Sequence, residues 1–142
     1  MERALKRLEG EVQLVLYPFV LNPTSEVATQ AALCAGEQDK FWELHRLLYL
    51  RQALWHRLNE PLERLLEFAK DLGMDTTALK HCVQSGRMRS LLEADRVYGR
   101  SLGVQSTPTL FINNQRIVGE LPEGDLVRIM RQELARVRRS SQ

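Results

Sequence analysis

Cysteine is scarce. Cys34 and Cys82 are the only two among 142 residues, which excludes a disulfide-rich scaffold and a four-cysteine zinc site. No apolar run approaches the roughly 18 residues needed to span a bilayer. The stretch from Met1 to Gly10 mixes charged and apolar residues and lacks the apolar core of a secretory signal. Charge of one sign is also lacking: 20 Lys and Arg against 18 Asp and Glu leave +2, too little for a strong electrostatic pull on nucleic acid or membrane. Aromatics amount to 6%, and none falls in the arginine-rich final helix. Arg128, Arg131, Arg136, Arg138 and Arg139 therefore read as a solvated helix end, favoured there by the helix dipole, rather than as a nucleic-acid surface. Repeats, low-complexity segments and interdomain linkers are absent. What remains is a globular composition, 44% hydrophobic and 27% charged, long enough to bury about two-thirds of its unfolded surface unaided.

The periodicity changes along the chain. Leu5 and Leu8, with Arg3, Lys6 and Arg7 elsewhere and Gly10 as a stop, predict the last turns of a helix over 2–9. Val12, Leu14, Val15, Leu16 and Tyr17 predict a strand over 12–17, buried on both faces of a parallel sheet. Ser25 is the expected N-cap of a helix through Ala28, Ala31, Ala32 and Cys34 to about Gly36. Phe41, Leu44, Leu48, Gln52 and Trp55 then recur at helical spacing, with Trp42, His45 and Tyr49 beside them. A second stripe, Leu62, Leu65, Leu66, Ala69 and Leu72, stops at Gly73. Asp75 caps a helix through Leu79 and Cys82 to Gly86, and Met88, Leu91, Leu92, Tyr98 and Leu102 mark another, closed by Gly103. Thr109–Ile112, a turn from Asn113, and Arg116–Gly119 predict an antiparallel hairpin. Pro122 precedes a last amphipathic helix with Leu126, Ile129, Met130, Leu134 and Val137. The order predicts an α/β fold with an inserted helical block.

The segment Gly103-Val104-Gln105-Ser106-Thr107-Pro108-Thr109-Leu110-Phe111-Ile112-Asn113 resembles the Gly-Val-x-x-Thr-Pro-Thr-x-Phe stretch of DsbA-like thiol–disulfide oxidoreductases. Ala31 to His45, read Ala-Ala-Leu-Cys-Ala-Gly-Glu-Gln-Asp-Lys-Phe-Trp-Glu-Leu-His, is similar to the opening of that family's helical insertion, and Phe68 to Asp75 also fits. The matches stand in family order from about residue 2 to 137. The resemblance implies one domain over 1–142, a thioredoxin-like sheet with a helical insertion at about 25–102, and a cis bond between Thr107 and Pro108. That bond would turn a backbone edge toward substrate, where an extended peptide can pair as an added strand. The family's Cys-x-x-Cys is absent, and in family order the motif and the first strand would precede residue 2. The chain thus resembles the family with its N-terminal part truncated. On the thioredoxin plan the lacking strand would sit between 12–17 and 109–112. Its place would be closed up, filled by a strand donated within a homodimer, or filled by a segment outside this sequence.

Cys34 and Cys82 have three readings: buried free thiols, a structural disulfide of the kind some relatives place between these two helices, or a catalytic dithiol. The last needs an exposed, acidified thiol, whereas Cys34 lies late in its helix, where the dipole opposes ionisation. His45, His56 and His81 lack metal-ligand spacing, and Asp95 reads as a helix-edge acid near the proline loop. No catalytic residue, metal or cofactor is expected in this chain. Thr107 and Pro108 are the expected substrate-binding residues, and Cys34 with Cys82 the expected disulfide. The function expected is that of a thioredoxin-like domain related to protein disulfide oxidoreductases and isomerases but without a redox motif. The alternatives are a peptide- or partner-binding module using the proline loop, or a fragment needing another chain. Expected partners are protein or peptide thiol/disulfide substrates, with no nucleic acid and no membrane span. The compartment is extracytoplasmic if a signal lies upstream and cytoplasmic otherwise.

Overall fold

The structure is a computed structural model and describes residues 1–140. Ser141 and Gln142, the end of the expected 1–142 domain, lie outside the described residues. The chain divides into two compact units, Pro18–Gly99 and a second made of Met1–Tyr17 with Arg100 onward.

Small side chains organise the first of these. Helix α2 (Pro23–Ala35) buries Ala28, Ala31, Ala32, Cys34 and Ala35, and short side chains let three helices pack closely against it. These are α3 (Phe41–Leu50), α4 (Leu62–Asp71) and α5 (Thr76–Ser85). Leu44, Leu48, Trp55, Leu65, Phe68 and Leu79 complete that core, and the Trp55 indole N–H donates to the Leu48 carbonyl at 2.8 Å. Helix α6 (Arg89–Ser101) follows. Asp75 caps α5 by accepting from the Ala78 N–H at 2.9 Å. The cap of α2 differs from the expected one: Asn22, not Ser25, accepts the Ser25 N–H at 2.9 Å. Pro23 explains this, because its fixed φ and missing N–H suit the first helical position.

The second unit holds α1 (Glu2–Lys6), β1 (Thr109–Ile112), β2 (Gln115–Val118) and α7 (Glu123–Ser140). Ala4 and Leu8 meet Leu126, Val127 and Met130 in its core, with Val12, Leu110, Ile112 and Leu134 packed against them. The hairpin pairs Thr109 with Val118, Leu110 with Ile117, Phe111 with Arg116 and Ile112 with Gln115. Asn113 takes the left-handed conformation at the turn, with φ 51°. The second strand therefore begins one residue earlier than the sequence predicts.

The predicted strand over 12–17 is not formed. Those residues carry no regular secondary structure, and among the described residues the sheet has two strands only. Val12 and Leu14 are half-buried while Gln13 and Val15 are exposed, so the alternation of a strand persists without the ladder. A β-prone sequence makes a strand only when a neighbouring strand takes its N–H and C=O groups, and among the described residues no strand pairs with this segment. The segments 12–17 and 109–112 have not closed on each other.

Candidate functional site

Between α6 and β1 the chain runs through an exposed loop, Gly103 to Pro108, held at several points. Gly103 sits at φ 73°, a conformation favouring glycine, and donates its N–H to the Arg100 carbonyl at 2.9 Å. The Arg116 guanidinium reaches back from β2 and donates to the Gly103 carbonyl at 2.5 Å. At the far end the Gly119 N–H donates to the Pro108 carbonyl at 2.8 Å. Within the loop the Thr109 hydroxyl donates to the Ser106 carbonyl at 2.7 Å. The Thr107–Pro108 peptide bond is cis. Gln105, Ser106, Thr107 and Pro108 are exposed, and the backbone N–H and carbonyl of Thr107 have no hydrogen-bond partner among the described residues.

The register of the hairpin decides which backbone groups of β1 are free. With Gly119 bonded to Pro108, and with a two-residue turn at Asn113-Asn114, residues 108, 110 and 112 direct their polar groups toward β2. Thr109 and Phe111 then direct theirs to the outer edge, where no strand lies among the described residues. Phe111 and Val118 are exposed on the hairpin's open face, while Leu110 and Ile112 point into the core. The unclaimed backbone groups are thus those of Thr107 in the loop and of Thr109 and Phe111 along the outer edge of β1.

The cysteines lie elsewhere, in the helical unit. Cys34 on α2 and Cys82 on α5 are joined by a disulfide, with Cα atoms 6.0 Å apart, and both residues are only 1% exposed. A thiolate that attacks a substrate disulfide must be free and reachable; these sulfurs are bonded to each other and shut from solvent.

The histidines are dispersed. His45 sits in an aromatic row on α3, stacked on Phe41 with ring centroids 5.6 Å apart and edge-on to Tyr49 at 5.0 Å. His56 has its Nδ1 2.8 Å from the Gln52 carbonyl, and His81 is exposed on α5. Asp95 on α6 is half-buried, and loss of hydration raises its pKa above the ordinary carboxylate value. Of the C-terminal arginines, Arg128 pairs with Asp125 at 3.1 Å, Arg136 with Glu133 at 3.7 Å and Arg138 with Glu11. Sequence alone does not single out Arg116 or Glu133 as site residues. Glu133 is 5% exposed and stands three places after Met130 on the apolar stripe of α7, a position that signals burial.

A helix–loop–hairpin–helix unit around a cis-proline loop, in a chain that also carries a disulfide-linked helical block, defines a thioredoxin-like α/β protein. The family model described as thioredoxin matches residues 3–131, and the chain belongs to that family. It is 34% identical over 97 residues to the Na(+)/H(+) antiporter NhaA 1 of Salinispora arenicola, covering 68% of this chain and 14% of the antiporter. It is 28% identical over 98 residues to the Na(+)/H(+) antiporter NhaA of Herminiimonas arsenicoxydans, covering 69% and 15%. A Rickettsia conorii protein, provisionally named a protein-disulfide oxidoreductase, is 22% identical over 105 residues, covering 73% and 38%. The matched segment is thus about a seventh of the antiporters and less than half of the Rickettsia protein. No solved structure matches the chain significantly.

Proposed function

We propose that this chain is a polypeptide-binding thioredoxin-like module, one domain over 1–142 with its helical insertion at about 25–102, which holds extended protein or peptide segments on the Thr107–Pro108 loop. The observation that carries the reading is the contrast within the loop. Its ends are hydrogen-bonded at Gly103 and Pro108, while the Thr107 backbone N–H and carbonyl stand exposed and unclaimed. An edge fixed in this way can add a strand of almost any sequence, since main-chain bonds supply the affinity. The name of the Rickettsia relative supports segments that carry thiols or disulfides as the bound class. The low share of each antiporter that is matched supports a module used within larger assemblies. Redox turnover is not part of the proposal, because both cysteines are bonded and buried.

The test is an amide-resolved NMR titration of the chain with reduced, alkylated insulin B chain as an extended probe. Shifts centred on Ser106, Thr107 and Thr109 are expected. Binding that shifts only amides of α3 or α7, or no binding at millimolar probe, sinks the reading.

A second arrangement is favoured by the outer edge of β1, whose free groups at Thr109 and Phe111 can pair with a second copy. Sedimentation equilibrium distinguishes it: a concentration-dependent dimer that Phe111→Pro abolishes supports pairing there, and a monomer throughout removes it.

A further inference from the structure

We infer that Arg116 is a positioning residue, which fixes the proline loop in the shape that receives a polypeptide; this rests on the polypeptide-binding reading above.

Three observations carry it. Arg116 faces Phe111 across the hairpin, so its backbone is set by the ladder and its side chain starts from a rigid base. From there the guanidinium reaches Gly103, thirteen residues earlier, and donates to its carbonyl at 2.5 Å. The fit is close: a Cβ built at Gly103 would lie 3.2 Å from Arg116 Nη1. The second residue of the pair is therefore held near glycine both by its φ of 73° and by the arginine lying against it.

The consequence lies in the loop. Gly103 is where the chain leaves α6, and Pro108 is where it enters β1. The Pro108 end is held by the Gly119 N–H. At the Gly103 end, Arg116 is the group that ties the loop to the same hairpin. With both ends referred to one rigid element, the exposed Ser106–Thr107 edge is ordered before any segment arrives, and binding loses less conformational entropy. A hydrogen bond from a charged donor is among the stronger ones. Arg116 is exposed, so truncating it opens no core and leaves the fold intact.

The experiment compares wild type, Arg116→Met and Arg116→Lys by backbone amide order parameters from nitrogen-15 relaxation, thermal unfolding, and anisotropy with fluorescein-labelled, reduced and alkylated insulin B chain. In Arg116→Met, order parameters at 104–107 are expected to fall from the rigid range of about 0.85 toward roughly 0.6 or below. Those in β2 and α7 and the unfolding midpoint should stay as in wild type, and probe affinity should fall. Arg116→Lys keeps one donor and should recover part of both effects. Unchanged order parameters at 104–107 in Arg116→Met overturn the inference, as does a fall shared equally by β2 and α7. If wild type does not bind the probe, the polypeptide-binding reading fails and the order parameters still decide whether Arg116 orders the loop. A loosened loop with unchanged probe affinity means that the clamp exists but does not serve binding, which also overturns the inference.

Discussion

Cys34 and Cys82 tie α2 to α5 across a sequence separation of 48, each residue 1% exposed in the core of the helical unit. Closing a loop of that length removes unfolded-state entropy worth about 4 kcal/mol in the chain-entropy model, an upper figure when the reduced chain keeps residual structure. For a domain stable by only about 5–15 kcal/mol this is a large share. The double variant Cys34→Ala/Cys82→Ala is expected to lose about 2–4 kcal/mol of unfolding free energy by urea titration. Native protein should also resist dithiothreitol far longer than urea-unfolded protein, because reduction requires the helices to open. A double variant as stable as wild type would contradict the first expectation, and equal reduction rates the second.

Asn113 and Glu133 join the hairpin turn to α7. The Asn113 side-chain amide donates to Glu133 Oε2 at 3.3 Å, and Glu133 is 5% exposed, with Arg136 3.7 Å from its other oxygen. Asn113 also holds φ 51°, which asparagine tolerates better than most residues. Asn113→Ala is expected to cost roughly 1–3 kcal/mol, combining the strained φ with a poorly satisfied buried carboxylate. Asn113→Gly keeps the φ and isolates the second effect, so its loss should be smaller. Asn113→Asp sets a carboxylate against Glu133, so its deficit should exceed that of Asn113→Gly. Denaturant midpoints check all three.

Glu123 opens α7 and receives two arginines from the α1 segment, Arg3 at 2.8 Å and Arg7 at 3.1 Å. Its side chain is 25% exposed, whereas the arginines are 85% and 60% exposed, so water and salt screen the pairs heavily. Its place in the first turn adds a favourable contact with the helix dipole. Glu123→Gln is expected to lose about 0.5–1.5 kcal/mol at low salt, from two screened pairs and the dipole together. At 1 M salt, where the Debye length is about 3 Å, most of that difference should vanish. A loss unaffected by salt would mean that Glu123 acts through packing instead.

Legibility in the sequence followed the range of the interaction. Asp75 as a cap, Gly86 as a left-handed stop and the hairpin beginning at Thr109 are local devices, written within a few residues, and the structure has all three. The choice between Asn22 and Ser25 turned on Pro23, whose preference for the first helical position outweighs a serine two places on. The strand expected over 12–17 is not formed, because composition reports β propensity but not whether a partner strand exists. In the candidate site, Thr107 and Pro108 came from resemblance, since an X-Pro dipeptide by itself favours trans. Arg116 left no sequence trace, because its contact with Gly103 spans thirteen residues and depends on the loop's path.

Asp95 offers a test of burial through pH. Its pKa is raised above the ordinary carboxylate value, and the cause is loss of hydration on α6 rather than a neighbouring charge. The folded state therefore binds this proton more tightly than the unfolded state. The group's contribution to stability is fully present below the unfolded pKa of about 3.9 and is lost as pH rises through the higher folded value. Ionising Asp95 therefore means charging it in a site that hydrates it poorly. Asp95→Asn removes the ionisation and keeps the shape. Relative to wild type, the variant should gain stability as pH rises from 3 to 7, the gain appearing between about pH 4 and the raised value. Urea midpoints of the two proteins at half-unit steps measure that difference directly. A difference constant with pH would show that Asp95 is as well hydrated folded as unfolded. A difference that moves the other way would mean that a positive group, not burial, governs the site.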